Sequence, residues 1–90
     1  MSDRVRKRII FYGNVQGVGF RYRALHAANS LGITGWVRNE WDGSVSMEVQ
    51  GTEADIDQMI LMIQRGTYVM IRDMKVKSLP LEKEGIFRIR

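Results

Sequence analysis

The sequence predicts an α+β fold of two layers, an antiparallel sheet carrying two helices on one face, with elements in the order β-α-β-β-α-β. Three observations lead there. Apolar residues recur at a period of two in four segments and at helical spacing in two others, glycines punctuate the boundaries, and 90 residues leave room for a single domain.

Residues 4–12 alternate as a strand, with Ile9 and Phe11 on one face and Arg8, Ile10 and Tyr12 on the other. Gly13, Gly17 and Gly19 end it. Over residues 20–31, Phe20, Ala24, Ala27, Ala28 and Leu31 line one side of a helix, and Gly32 stands where a helix end favours a left-handed residue. Residues 33–40 and 44–50 form a hairpin around Trp41-Asp42-Gly43. In its second strand Val45, Met47 and Val49 face the core, while Ser44, Ser46, Glu48 and Gln50 face water. Thr52 and Asp55 have the spacing of a capping box, and Ile56, Met59, Ile60 and Ile63 continue as a buried stripe that stops at Gly66. Residues 71–79 and 86–90 read as strands around a loop at 80–85, and residues 67–70 carry weak signals. Two β-α-β halves with right-handed crossovers make the ferredoxin-like arrangement, here with an extra short end strand. Many functions use that fold, so function has to be read from a site.

Composition narrows the choice. The chain is 44% hydrophobic and 27% charged, which excludes a disordered tail. It has no cysteine, so neither disulfides, thiolate zinc nor thiol catalysis is available, and a reducing compartment fits. Residues 1–7 lack the apolar run of a secretory signal and no stretch has the length of a membrane span, so a cytoplasmic location is expected, without membrane attachment. The net charge of +4 favours anionic partners, and ten arginines among 14 cations favour phosphate, which a guanidinium grips with two hydrogen bonds.

The most informative segment is Gly13-Asn14-Val15-Gln16-Gly17-Val18-Gly19-Phe20-Arg21, between the first strand and the first helix. A helix N-terminus offers unpaired N–H groups and partial positive charge, so a tight glycine-rich loop there can wrap an anion with its backbone. The Lys-Ser or Lys-Thr pair of an ATP-binding loop is missing, and Tyr22 stands where a dinucleotide fingerprint needs glycine or alanine. Spacing alone fits a purely structural turn equally well. Arg21 adds a cation to a region already positive, an awkward placement unless an anion joins it; a solvated surface arginine is the other reading. Asn39 falls on the apolar side of its strand, where its amide could orient a water or simply form a turn before Glu40.

These residues resemble the acylphosphatases. The stretch from Gly13 to Arg21 matches that family's signature Gly-x-Val-Gln-Gly-Val-x-Phe-Arg, and Gly35-Trp36-Val37-Arg38-Asn39, with Gly43, Val45 and Gly51, matches a second. The resemblance implies the same ferredoxin-like fold and hydrolysis of small acyl phosphates to carboxylate and inorganic phosphate, with neither metal nor cofactor. It also implies site roles: backbone amides of Asn14, Val15, Gln16, Gly17, Val18 and Gly19 with the Arg21 guanidinium would bind the phosphoryl group, and Asn39 would position the attacking water. The chain departs from the family pattern in ending Phe87-Arg88-Ile89-Arg90 without a following tyrosine, and in lacking a Gly-Pro-Pro-like turn across residues 66–71.

Competing chemistries lack their parts. His26 is the only histidine, which argues against a zinc pair or a Ser-His-Asp constellation. Glu53, Asp55 and Asp57 suit the acidic start of a helix, and Met59 and Met62 suit packing. The rival from another class is a non-catalytic phosphate- or RNA-binding module of the same topology. Base-stacking modules use sheet aromatics, and the third strand offers none, so nucleic acid is not the expected partner. The basic run Arg4, Arg6, Lys7, Arg8 reads as a solvated strand face. The expected enzyme is a free-standing monomer acting on a small molecule.

Overall fold

The computed structural model describes residues 3–90, so the first two residues of the N-terminal segment considered above lie outside the described residues. Strands β1 (Arg4–Asn14), β2 (Thr34–Asn39), β3 (Val45–Thr52), β4 (Met70–Leu79) and β5 (Phe87–Ile89) form one sheet in the order β4-β1-β3-β2-β5. Helices α1 (Phe20–Leu31) and α2 (Glu53–Gln64) complete the two-layer fold. The first four strands pair antiparallel as expected, whereas β5 runs parallel to β2, pairing Gly35 with Phe87 and Val37 with Ile89. The sheet is therefore mixed at that edge, because the chain after β4 crosses to the opposite edge of the sheet and docks running in the direction of β2.

The core lies between sheet and helices. Ile9, Phe11, Val37, Val45, Met47 and Val49 meet Phe20, Ala24, Ala27, Ala28, Ile56, Met59 and Ile63, all buried. Small alanines let α1 lie close, and the larger residues of α2 fill the remaining depth. The expected helix ends are present. Gly32 has φ 70°, and the Ile33 amide donates to the Ala28 carbonyl at 2.9 Å, closing α1 in a left-handed turn. Thr52 caps α2 by accepting from the Asp55 amide at 3.1 Å.

The open face of the sheet departs from expectation. Arg6 was expected among solvated cations, yet its side chain is only 1% exposed and paired with Glu48, Glu82 and Glu84. Burial works against its charge, but the hydrogen bonds it donates to Glu84 and Glu48 outweigh that, and its pKa is raised. Ser44, Ser46 and Gln50, expected to face water, are buried as well. For Gln50 the reason is the loop after β4: Gln50 donates to the Glu82 carbonyl and accepts from the Glu82 amide, both at 2.8 Å, so this side chain holds the loop over the sheet as a strand backbone would. Trp36 is covered by the guanidiniums of Arg90, Arg38 and Arg8, at 4.8, 5.0 and 5.9 Å from the ring centroid.

Candidate active site

Strand β1 runs two residues further than its alternation suggested, to Asn14, because a bulge between Tyr12 and Gly13 lets pairing with β4 continue. Only glycine fits there. Gly13 has φ 128°, and a Cβ would stand 2.3 Å from the Met70 carbonyl oxygen. Beyond the bulge the chain turns through Gly17 (φ 71°) and Gly19 (φ 81°), both left-handed, and enters α1 at Phe20.

Four contacts fix this loop from different sides. At its base the rings of Phe11 and Phe20 meet at 4.9 Å, joining the strand that enters to the helix that leaves. Val15 is buried in the core. Asn14 Nδ2 donates to the Tyr68 carbonyl at 3.1 Å, and Gln16 Nε2 donates to the carbonyls of Glu40 at 2.8 Å and Ser44 at 2.9 Å. The Gln16 amide thereby ties the loop to the turn that follows Asn39. Sequence reasoning assigned Gln16 a backbone role only; its Gly-x-Val-Gln context carried no signal that its side chain would reach the hairpin.

The N-terminus of α1 has no side-chain cap and no acidic residue in its first turn. Its amides and partial positive charge are thus left for a group from outside. Arg21 is half-buried in that turn and has no carboxylate partner among the described residues. Asn39 closes β2 opposite Val45, and its Oδ1 is buried with no protein donor in reach. An unpaired buried carbonyl oxygen is costly, and it marks a position able to accept from a small donor such as water.

The turn beside Asn39 is set by its own charges. Asp42 Oδ1 accepts from the Ser44 hydroxyl at 2.5 Å and the Ser44 amide at 3.0 Å, which holds its carboxyl below the usual range. Arg38 Nε donates to Glu40 at 2.8 Å, and that bond, followed by one from Ser46, lowers the Glu40 pKa in the same sense. Both stay ionised at neutral pH. No group of three or more His, Cys, Asp or Glu side chains is placed to hold a metal among the described residues, and His26 is exposed on α1.

Fold and loop together define a ferredoxin-like domain with a glycine-rich first strand-to-helix turn and an uncapped helix N-terminus. The acylphosphatase family model matches residues 7–89. An acylphosphatase of Moorella thermoacetica is 40% identical over 96% of this chain and 94% of its own length. The crystal structure of acylphosphatase from Bacillus subtilis superposes with a TM-score of 0.87 at 33% identity, covering 96% of this chain and 98% of that one. A full-length HypF, crystallised in a phosphate- and nucleotide-bound form, matches with a TM-score of 0.85 at 26% identity; this chain is covered completely but only 12% of that one. The chain belongs to the acylphosphatase family, whose members hydrolyse acyl phosphates.

Proposed function

We propose that the chain hydrolyses small acyl phosphates without a metal, with Arg21 and the amides of residues 14–19 holding the phosphoryl group and Asn39 orienting the attacking water. The observation that carries this division of labour is the buried, unpartnered Oδ1 of Asn39 at the end of β2, on the hairpin that Gln16 ties to the loop. An acyl phosphate is an activated anhydride with a good carboxylate leaving group, so it demands positioning and charge stabilisation more than a strong nucleophile. Water oxygen bonds to phosphorus as the phosphorus–oxygen bond to the carboxylate breaks, and the carboxylate leaves with that electron pair. The water's proton passes to a phosphoryl oxygen, so no protein base is needed. Charge developing on the phosphoryl oxygens is met by N–H donors fixed in advance by the loop's four anchors.

Arg21 supplies two donors in one plane, which lysine cannot reproduce. In this reading the protein is a cytoplasmic monomer whose partner is the small substrate. The open sheet face supports the exclusion of nucleic acid, since Trp36 lies under three guanidiniums and Tyr12 has Lys75 5.5 Å from its ring, leaving no free stacking platform on that pair. The test is hydrolysis of acetyl phosphate in excess chelator. Wild type and His26→Gln should turn over alike, Arg21→Ala should lose activity and inorganic phosphate affinity together, and Arg21→Lys should recover little of either. Near-wild-type turnover by Arg21→Ala, or dependence on added magnesium, would sink the reading.

A further inference from the structure

Gly66 follows Arg65 at the end of α2, and its backbone does not require glycine: it is buried, and its φ is not positive. Its missing side chain is used by Arg23 of α1. A Cβ at Gly66 would stand 2.5 Å from Arg23 Nε and 2.8 Å from Arg23 Cδ. The stem of Arg23 therefore lies against the end of α2, which fixes the cation in place before anything binds to it.

That fixed cation has no carboxylate partner among the described residues. It borders a groove of about 360 Å³ between the helices, with walls formed by Arg23, His26, Ala27, Met62 and Arg65. Three basic side chains line it and no acidic one does. The two helices explain the imbalance. Helix α1 contains neither Asp nor Glu, and the carboxylates of α2, Glu53, Asp55 and Asp57, all lie near its start. Asp57 is separated from Arg65 by roughly 12 Å along the helix axis. Cations are gathered here without a protein anion to balance them, an arrangement that an anionic ligand relieves.

The walls define the chemistry of that ligand. Guanidiniums grip phosphate oxygens with paired N–H donors, and the His26 ring adds a further donor. Ala27 and Met62 make the rest of the groove apolar, which suits a small organic group attached to the phosphate. The volume fits a ligand of that size. We propose that this groove is a second anion site, which holds a small phosphate monoester with its phosphate on Arg23 and Arg65 and its organic group on Met62. The site is independent of the hydrolytic reading, since neither Arg21 nor residues 14–19 take part in its walls.

The probe is phenyl phosphate, a monoester, titrated into isotope-labelled protein and followed by NMR. Saturable shifts are expected at the Nε–H groups of Arg23 and Arg65 and at the amides of His26 and Met62, and they persist in Arg21→Ala. Arg65→Gln, at an exposed position, weakens binding about tenfold, and Gly66→Ala, which removes no charge but displaces Arg23, weakens it about threefold. Inorganic phosphate binds the groove more weakly than phenyl phosphate does. Shifts confined to residues 14–21, shifts lost in folded Arg21→Ala, or an affinity unchanged by Arg65→Gln overturn the site. Inorganic phosphate bound as tightly as phenyl phosphate overturns the assignment to a monoester.

Discussion

The Gln16 side chain donates to the Ser44 carbonyl at 2.9 Å and, with the same nitrogen, to the Glu40 carbonyl at 2.8 Å. One amide thus sets the distance between the loop that would hold phosphate and the hairpin that carries Asn39. Gln16→Ala should reduce kcat about tenfold at small cost in stability, about 1 kcal/mol. Gln16→Glu should be worse, since a carboxylate would face two carbonyl oxygens. Kinetics on benzoyl phosphate beside a thermal melt separates the two effects; loss of stability without loss of kcat would contradict the positioning role.

The Arg6 cluster makes a prediction about stability alone. Arg6→Ala leaves Glu48 and Glu84 without the cation they share and should cost about 3 to 5 kcal/mol, whereas Arg6→Met with Glu48→Leu and Glu84→Leu should restore much of it. Urea denaturation measures both. If Arg6→Ala costs under about 1 kcal/mol, the buried pairing is energetically idle.

Gly13 and Gly43 offer a controlled comparison. Both have positive φ, 128° and 90°, but an added Cβ meets the Met70 carbonyl at Gly13 and open space at Gly43. Gly43→Ala should carry only backbone strain, about 1 to 2 kcal/mol. Gly13→Ala adds a steric clash and should push β4 away from β1, with a larger loss of stability and of phosphate affinity. Equal losses in the two variants would contradict the account of the bulge.

The hairpin turn should resist acid. Asp42 is held below its ordinary pKa by the Ser44 hydroxyl, and Glu40 by Arg38. A carboxyl whose folded pKa lies below its unfolded value stabilises fully above the unfolded value, about 4, and loses that contribution as pH falls through the folded one. The Ser44 amide resonance, followed by NMR, should therefore titrate with a midpoint below about 3.9. A midpoint at or above that value would contradict the turn described.

Legibility in the sequence followed periodicity. Helix limits, the hairpin and the inward-facing residues Phe11, Val37 and Met47 were readable because one face of each element is apolar and the other is not. The proposed phosphate site rests on a local signal, the glycines and Arg21 at a helix N-terminus. What stayed hidden depends on contacts distant along the chain. Arg6 looks like any surface cation until Glu82 and Glu84, 76 and 78 residues away, fold over it. Gln50 reads as wet because alternation assigns a side of the sheet and cannot know that a loop covers it there. The reach of Gln16 to Ser44 likewise requires the hairpin to be in place first.

Asn39→Ala tests the central claim most directly, with kcat for acetyl phosphate and the inhibition constant of inorganic phosphate measured on the same preparation. The account predicts that kcat falls at least about 100-fold while phosphate affinity stays within a few fold, because only the attacking water loses its anchor. A large loss of phosphate affinity with kcat unchanged would contradict it and move Asn39 from positioning water to binding substrate.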